Sequence, residues 1–311
     1  MQQITDTILM IRPNNIRANE QTVSSNYYQK KVIVNDALQV RAKFEFDTYV
    51  NKLKDAGVNV IVYESDDDLD TPDAHFPNNW ISLHSNGNVA LYPMYAKNRR
   101  LERREDVLDF IEQNGFIIEN VIDYSSAEDE SVFLEGTGSI VLDRDNHKAY
   151  CAISPRSDES LFIEFCEDFE YTPIVFIANQ TVNEERKAIY HTNVMMCIAE
   201  TFAIICLECI DDKKERKNVI KHLKTSGKQI IEISEDQVAQ FAGNMLQVKG
   251  SNNKRYLVMS QSACNSLTNN QINAIKSNCD IISSEISTIE ACGGGSIRCL
   301  MIEVLLQKLE N

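Results

Sequence analysis

The chain has 311 residues, a net charge of −15 and a sequence pI near 4.8. Hydrophobic residues make up 43% and charged residues 25%, proportions that are typical of a soluble globular protein. The excess of negative charge argues against nucleic acid and against an anionic membrane surface as partners, and it favours a small cation or zwitterion as ligand. The length allows one large domain or two ordinary ones.

The sequence predicts neither a targeting signal nor a disulfide framework. The N-terminal residues MQQITDTILMIRP contain no basic segment and only a four-residue apolar run, which does not match a signal peptide. No apolar run is long enough to span a bilayer. The nine cysteines are an odd number without regular spacing, which fits a reducing compartment. We therefore expect a cytoplasmic protein.

The first predicted elements are a buried strand at Thr7–Ile11, an amphipathic helix over residues 34–56 and a strand at Val58–Val62. The apolar positions of that helix are Leu38, Val40, Phe44, Phe46, Tyr49 and Leu53. From residue 80 onward a unit recurs that contains two antiparallel strands, a helix and a further strand. In its first copy the strands are 80–83, 89–92 and 116–118, and the helix is 99–113.

Later copies of this unit follow at a nearly constant spacing. The copies start on Asn79, Thr137, Asn193, Asn244 and Ile297, at intervals of about 58, 56, 51 and 53 residues. A fixed period in this range is the signature of repeated units packed around an axis. The fifth copy has no return strand after Leu306, and Thr7–Ile11 is expected to supply it and close the ring. The sequence thus predicts one α/β domain over residues 1–311, built from five pseudo-repeated ββαβ units.

The loops at the unit starts should converge on the axis, and converging loops are where a site is expected. Their polar residues are Asn78, Asn79, Glu135, His191, Asn193, Asn244 and Cys299. A thiol, an imidazole and a carboxylate on separate loops can serve as nucleophile, general base and orienting group. Each residue also has a plainer interpretation, as a buried thiol, a core histidine, a surface charge or a turn asparagine. They all fall at the same position of the repeated unit, which favours the interpretation that they form a functional site.

Three consecutive glycines, residues 293–295, lead into an apolar strand-like segment with Cys299 at the junction. Glycines allow close approach of backbone or ligand, so such a turn can expose one side chain. Arg298, the neighbour of the thiol in sequence, is expected to favour its thiolate form. Cys292 is a rival nucleophile, but it lies upstream of the glycines and outside the repeat phase, so we expect it to be a support residue.

Four segments carry a resemblance to a known superfamily. They are Phe76-Pro77-Asn78-Asn79, Glu135-Gly136-Thr137-Gly138, His191-Thr192-Asn193 and Gly293-Gly294-Gly295-Ser296-Ile297-Arg298-Cys299. In order and spacing they resemble the guanidino-group-modifying superfamily, which includes arginine deiminase, dimethylarginine hydrolase, succinylarginine dihydrolase and the amidinotransferases. The resemblance covers nearly the whole chain, and it implies a five-bladed α/β-propeller, or pentein, fold.

The resemblance also implies roles for individual residues. Cys299 would be the nucleophile, His191 the general acid and base, and Glu135 a polariser of the substrate or of His191. Arg99, in a segment similar to the one that binds the substrate carboxylate in deiminases, would be the carboxylate clamp. Further substrate-binding residues would be Phe76, Asn78, Asn79, Asn193 and Asn244, with Asp73 as the candidate for the α-amino group. No metal and no cofactor is implied; the partner is a small amino acid, and a homodimer stays open.

Two departures from the family pattern bear on the substrate. Deiminases have aspartates at the positions of Asn79 and Asn193, and those carboxylates bind the cationic guanidinium. With amides there, a buried guanidinium would keep only Glu135 as counter-charge, which is costly. A ureido group is neutral, and an asparagine can both donate to its oxygen and accept from its nitrogens. The family's dihydrolases also carry an asparagine at the first position.

The predicted reaction is therefore hydrolysis of citrulline to ornithine, CO2 and ammonia through a covalent cysteine intermediate. The residues allow ammonia to leave before or after ornithine. Within the superfamily, arginine deiminase or dihydrolase activity and amidinotransfer remain alternatives. A non-catalytic pentein-like binding protein, resembling a ribosome anti-association factor, is the alternative from another class, and the combination of Cys299, His191 and Glu135 argues against it.

Overall fold

The structure, a computed structural model, describes residues 2–30, 32–64 and 69–309. The fold is mixed α/β. In the described chain the strands are β1 Thr7–Arg12, β2 Asn59–Glu64, β3 Ile81–Leu83, β4 Asn88–Leu91, β5 Asn120–Asp123, β6 Ile140–Asp143, β7 Lys148–Ala152, β8 Thr172–Phe176, β9 Asn179–Val182, β10 Glu185–Ala188, β11 Met196–Ile198, β12 Phe202–Ile205, β13 Gln229–Glu232, β14 Leu246–Lys249, β15 Arg255–Ser260, β16 Asp280–Ser284 and β17 Ile302–Glu303. The α-helices are α1 Asp36–Asp55, α2 Glu105–Gln113, α3 Gly136–Ser139, α4 Glu159–Asp168, α5 Lys213–Thr225, α6 Glu235–Val238, α7 Gln261–Ser266, α8 Asn269–Lys276 and α9 Ser287–Gly293.

Within the described residues, five three-stranded sheets repeat one pattern, in which the central strand pairs antiparallel with one neighbour and parallel with the other. Their strand orders are β3-β4-β5, β6-β7-β8, β11-β12-β13, β14-β15-β16 and β17-β1-β2. The last sheet joins the two ends of the chain, because Ile8 pairs with Glu303 and Leu9 with Ile302 across β1 and β17. The predicted return strand at Thr7–Ile11 is therefore confirmed. Side chains buried between the sheets and their helices, such as Trp80, Phe162 and Phe202, form the hydrophobic core.

The helix predicted over residues 34–56 is α1, but its buried face differs from the predicted one. Phe46, Tyr49 and Leu53 are buried as predicted, whereas Val40 and Phe44 are 68% and 69% exposed. The helix packs against α9, β16 and β2. Residues 46, 49, 50 and 53 follow the spacing of a single helical stripe, and positions 40 and 44 fall outside it.

The repeated units begin differently from the prediction. Four of the predicted unit starts lie in or next to short helical turns, at Pro77–Asn79, Gly136–Ser139, Thr192–Val194 and Ile297–Leu300. The third strand of the first unit is β5, not residues 116–118, because Phe116 packs against the C-terminal segment and bridges to Lys308. An additional hairpin, β9–β10, lies between the second and third units.

Within the described ranges we find no helix that is long and apolar enough to cross a membrane. Residues 2–30, 32–64 and 69–309 also contain no group of three or more His, Cys, Asp or Glu side chains placed to hold a metal ion. All nine cysteines of the sequence are free thiols.

Candidate active site

The short turns at the unit starts orient the candidate residues. His191 immediately precedes the turn Thr192–Val194, and Cys299 lies inside the turn Ile297–Leu300. Glycine is required inside one of these turns, Gly136–Ser139. A Cβ on Gly138 would lie 2.4 Å from Asn79 Nδ2 and 2.8 Å from His191 Nδ1, so both side chains can lie against this backbone only because residue 138 has no Cβ.

Cys299 is 4% exposed, and its thiol accepts hydrogen bonds from two asparagine amides. The side-chain nitrogens of Asn244 and Asn193 lie 3.4 and 3.7 Å from Sγ and donate to it. Asn244 also accepts from the backbone N–H of Arg298 at 3.0 Å and donates to the carbonyl of Asn193 at 3.1 Å. Asn244 therefore ties the nucleophile turn to the third unit.

The side chain of Arg298 binds groups other than the thiol of Cys299. Its guanidinium donates to the carbonyl of Met301 at 2.8 Å and forms an ion pair with Glu303 at 2.5 Å. The guanidinium of Arg298 is therefore paired with Glu303, and its expected effect on the thiol of Cys299 stays a prediction. A long flexible side chain can leave the position of its backbone neighbour, and here the buried carboxylate of Glu303 captures it.

His191 and Glu135 form a buried pair, with 2.7 Å between Nε2 and Oε2. Burial opposes ionisation of Glu135, but Arg156, His191 and Arg99 together outweigh it and lower its pKa to about 2. Burial lowers the pKa of His191 to about 4, against the raising effect of Glu135. The histidine is thus neutral near pH 7. With its Nε2 proton donated to the carboxylate, its Nδ1 is a free base.

Arg156 is a buried cation that the sequence analysis missed. Its Nη1 lies 3.5 Å from Glu135 Oε2, and its Nη2 donates to Ser25 Oγ at 2.7 Å. The guanidinium also lies 4.9 Å from the ring centroid of Tyr190. Among the described residues its Nε has no hydrogen-bond partner although it is buried. An unpaired buried N–H of a cation indicates a place for an anionic ligand group.

Arg99 is a second buried cation, and its hydrogen bonds are nearly all used. It binds Glu102 through Nε and Nη2, at 2.9 and 2.8 Å. Its Nη1 donates to Asn79 Oδ1 at 2.7 Å, and its Nη2 also donates to the carbonyl of Phe76 at 3.0 Å. The carboxylates outweigh the cost of burying this guanidinium and raise its pKa further, so it stays charged.

Asp73 lies near Arg99, with 3.9 Å between Asp73 Oδ2 and Arg99 Nε. The same oxygen accepts from Asn19 Nδ2 at 2.8 Å. Its other oxygen, Oδ1, is buried and has no hydrogen-bond partner in the described part of the chain. Burial raises the pKa of Asp73. A ligand ammonium at Oδ1 would supply the missing partner and favour the ionised carboxylate.

Most of these groups line one small cavity. It is lined by Thr22, Asn26, Asp73, Phe76, Asn79, Arg99, Arg156, Tyr190, His191, Gly293, Gly294, Gly295 and Cys299, and its volume is about 20 Å³. That volume holds about one water molecule. The segment 19–30, which we call the strap, covers the cavity. Asn26 of the strap donates to the carbonyls of Gly293 and Gly294 at 3.1 and 3.3 Å.

The sequence matches one known protein family over most of its length. The model of the family described as N,N dimethylarginine dimethylhydrolase, eukaryotic, matches residues 12–306. The chain belongs to this family. It is therefore a member of the guanidino-group-modifying pentein superfamily, as the motifs predicted. No curated protein matches the sequence.

Solved structures of the superfamily share the fold. ArgZ, a cyanobacterial arginine dihydrolase, superposes with a TM-score of 0.73 at 17% identity, over 97% of this chain and 41% of ArgZ. Its N-terminal domain, in a cysteine-to-serine mutant bound to substrate, gives 0.72 at 16% identity, over 96% of this chain and 97% of that domain. A dimethylarginine dimethylaminohydrolase mutant with an S-methyl-L-thiocitrulline adduct gives 0.63 at 14% identity, over 96% and 99%. Such identities show the fold alone.

In this family member, the structure brings most of the predicted site residues together. Cys299, His191, Asn79, Arg99, Phe76 and Asp73 line the one cavity. Glu135 lies behind His191, and Asn193 and Asn244 contact the thiol. Asn78 supports the site without lining it, because it accepts from Asn79 Nδ2 at 3.1 Å and donates to Thr137 Oγ1 at 3.2 Å.

The residues that were missed are Arg156, Tyr190 and the strap. A signal for Arg156 existed in the second hairpin, where Ile140 pairs with Cys151 across β6 and β7. Extending that register places residue 135 opposite residue 156, and the Glu135 N–H does donate to the Arg156 carbonyl at 3.1 Å. The strap has no such signal, because its contacts to Gly293 and Gly294 join opposite ends of the chain.

Proposed function

We propose that this protein hydrolyses the ureido C–N bond of citrulline through a covalent Cys299 intermediate, releasing ornithine, CO2 and ammonia. The observation that carries the proposal is the charge distribution of the cavity. Arg99 and Arg156 both line it, and Glu135, the carboxylate expected beside the reacting group, is already bound to His191 and lies 3.5 Å from Arg156.

A cationic guanidinium would be poorly matched to this site. Asn79, where deiminases have an aspartate, accepts from Arg99 at 2.7 Å, so a second cation beside it would meet a like charge. Asn193, the second such position, offers a neutral amide. A buried cation without a dedicated counter-charge is strongly disfavoured. A neutral ureido group does not meet this penalty.

The two amides suit a ureido group in particular. Within the described chain the Oδ1 atom of Asn193 is buried without a hydrogen-bond partner, although its Nδ2 donates to the Thr137 carbonyl at 3.2 Å. An unpaired acceptor beside the thiol can bind a ureido N–H. Asn79 Nδ2 retains one N–H after its bond to Asn78 Oδ1, and we assign that N–H to the ureido oxygen.

The α-amino and α-carboxylate groups find partners at the other side of the cavity. We place the ammonium on the unpaired Oδ1 of Asp73 and the carboxylate on the unpaired Nε of Arg156. Arg99 has fewer free N–H groups than the sequence analysis assumed, since Glu102, Asn79 and the Phe76 carbonyl bind most of them. Arg99 then contributes charge to the carboxylate, and Arg156 contributes the direct bond.

In the first half of the proposed mechanism, His191 Nδ1 takes the proton of the Cys299 thiol, and sulfur attacks the ureido carbon. The negative charge that develops on the ureido oxygen is stabilised by the amide N–H of Asn79. The bond between that carbon and the ornithine nitrogen then breaks as His191 returns its proton to the nitrogen. Ornithine leaves, and an S-carbamoyl group remains on Cys299.

In the second half, His191 removes a proton from water, and the hydroxide attacks the carbamoyl carbon. The C–S bond breaks, the thiol regains the proton, and carbamate is released, which decomposes to CO2 and ammonia. One water molecule is consumed for each citrulline molecule that is hydrolysed. Glu135 orients His191 throughout, because its hydrogen bond at Nε2 keeps Nδ1 directed to the reaction.

The alternative within the superfamily is arginine as substrate. Structures with similar folds include AgrE with ornithine and NAD+, and an AgrE mutant with L-arginine, at 16% identity each. These relatives bind small amino acids, which supports an amino acid ligand here. The two asparagines and the two cavity arginines favour the neutral side chain.

A product assay tests the proposal. Purified protein is incubated separately with citrulline, arginine and N,N-dimethylarginine, and ornithine, citrulline and ammonia are quantified. We expect equimolar ornithine and ammonia from citrulline and at least about 10²-fold lower kcat/KM with either cation, in line with the cost of an unpaired buried charge. Turnover of arginine with citrulline inert would overturn the proposal.

The pH dependence of turnover provides a further prediction. Because burial lowers the pKa of His191 from 6.5 to about 4, the base stays neutral well below pH 6.5. We expect log kcat/KM to stay level from pH 7 down to about pH 5 and to fall below that, rather than near pH 6.5 as for a solvent-exposed histidine.

The control for this pH profile is the free energy of unfolding, measured at each pH. The unfolded chain takes up a proton below pH 6.5 that folded His191 accepts only near pH 4, so stability should decline as pH falls through this window. A loss of activity centred near pH 6.5 in fully folded protein would contradict the assignment of His191 as the base.

We also infer that the five sheets are the blades of a five-bladed α/β-propeller around this site. Contacts between the first strands of different sheets support the arrangement, since β11 contacts β6 and β14, and β17 contacts β3. The nine free thiols support a reducing compartment, and we propose the cytoplasm.

A further inference from the structure

A second and much larger cavity lies beside the catalytic one. Its volume is about 430 Å³, against about 20 Å³ for the catalytic cavity. Its lining includes Tyr27, Tyr28, Lys30, Ala239, Phe241 and Glu290. Pockets that bind small molecules have volumes of about 300–1,000 Å³. The size of this cavity is therefore that of a ligand site.

About half of the residues that line this second cavity lie outside the repeated units. Three of them belong to the hairpin β9–β10 and three to the strap. The strap separates the two cavities, since its residues Thr22 and Asn26 line the catalytic cavity while Tyr27, Tyr28 and Lys30 line the second one. A ligand in the second cavity would therefore touch the back of the segment that covers the active site.

The side chains of the second cavity combine aromatic rings with one charge of each sign. The ring centroid of Tyr28 lies 4.8 Å from that of Tyr27 and 5.3 Å from that of Phe241. Lys30 supplies an ammonium group and Glu290 a carboxylate. Aromatic walls bind planar apolar groups by offset or edge contacts. Opposite charges in one pocket suit a zwitterion.

We propose that the second cavity is a regulatory site for an α-amino acid with an aromatic side chain. The ring packs against Tyr27, Tyr28 and Phe241, the ammonium group binds Glu290, and the carboxylate binds Lys30.

Glu290 connects the second cavity directly to the nucleophile. Its Oε2 accepts from Ser262 Oγ at 2.8 Å, and its Oε1 accepts from Ser296 Oγ at 2.6 Å. The carbonyl of Ser296 in turn accepts from the backbone N–H of Cys299 at 3.0 Å. A ligand ammonium on Glu290 would thus be linked to the nucleophile turn through Ser296, which hydrogen-bonds both to Glu290 and to the backbone N–H of Cys299.

The strap provides the second connection and sets the direction of the effect. A cavity that holds about one water must open before an amino acid substrate can enter, and the strap covers it. Tyr28 packs on Tyr190, whose hydroxyl donates to the Gly294 carbonyl at 2.6 Å. A ligand that contacts Tyr27, Tyr28 and Lys30 resists movement of the strap, which slows substrate entry and product release alike and leaves the affinity for substrate unchanged. Occupancy of the second cavity should therefore slow turnover.

Calorimetric titration of L-phenylalanine into the Cys299→Ala protein tests binding without requiring turnover of any substrate. We expect one saturable site whose affinity is not reduced by saturating citrulline. Ala239→Trp, which fills the second cavity from an exposed position, should weaken binding by at least about tenfold. Ala37→Trp on the exposed face of α1 is the matched control and should leave the affinity unchanged.

Turnover measurements test the regulatory role with whichever substrate the protein hydrolyses. Saturating L-phenylalanine should lower kcat severalfold in the otherwise unchanged protein and leave Ala239→Trp unaffected. Three results would overturn the proposal: no saturable heat, displacement of phenylalanine by citrulline, or equal binding by Ala239→Trp. Binding without any change in kcat would overturn the regulatory role. Because the binding arm needs no turnover, failure of the citrulline proposal would be recognised separately.

Discussion

Replacing Cys299 by alanine is expected to lower turnover by at least about 10⁴-fold, the scale of losing a covalent nucleophile. Binding of citrulline should persist, because Asp73, Arg156 and the asparagine amides remain in place. Substrate turnover and calorimetric titration with citrulline, on the same preparation, check both halves of the expectation. Retention of full activity would remove Cys299 from the mechanism.

Cys292→Ala is the matched control for that variant. Cys292 lies in α9, is fully buried in the core beside α1, and burial raises the pKa of its thiol to about 11. It should therefore keep near-normal kcat and cost about 1–2 kcal/mol of stability at most. Alkylation by iodoacetamide, with and without citrulline, should label Cys299 in a ligand-protected way. Protection of Cys292 instead would reverse the assignment.

The parts of the fold and site that were predictable from sequence rest on local pattern. The repeat of about 55 residues, the alternating strands and the motif residues at each start all recur along the chain, so their phase alone placed Cys299, His191 and Asn79 near one point. The pairing of the two chain ends followed from an unpaired last strand, and β1 with β17 confirms it.

The parts that were not predictable depend on contacts between distant segments or on weak local signals. The hairpin β9–β10 turns at Asn183 and Glu184, both at positive φ, without the glycine that usually marks such a turn. The strap closes the site through Asn26 and the Gly293 carbonyl, 267 residues apart. The direction of a long side chain is equally hidden, as the pairing of Arg298 with Glu303 demonstrates.

The electrostatics of the site were only partly predictable from the sequence. The residue types at positions 79 and 193 are visible in the sequence, and they favour a neutral substrate. The positions of the two cations are not visible, yet Arg99 and Arg156 strengthen the same conclusion by occupying the cavity wall. The strongest test of the substrate is therefore to change the charge at the two asparagines.

Asn79→Asp combined with Asn193→Asp should move selectivity towards arginine. We expect the ratio of kcat/KM for arginine to that for citrulline to rise by about 10²-fold, or about 2.7 kcal/mol, because two carboxylates replace amides around the reacting group. The ratio is measured on both substrates with the double variant, both single variants and the unchanged protein.

The two single variants should contribute unequally to this change in selectivity. If only the number of added charges mattered, the two contributions would be equal. A carboxylate at position 79 would pair with Arg99, whose Nη1 is 2.7 Å from the present Asn79 oxygen, so part of its charge is neutralised before any substrate binds. At position 193, the Oδ1 atom has no hydrogen-bond partner among the described residues, and Arg298 of the nucleophile turn is paired with Glu303. Asn193→Asp should therefore produce most of the change, and a dominant effect of Asn79→Asp would show that Arg99 moves away when substrate enters.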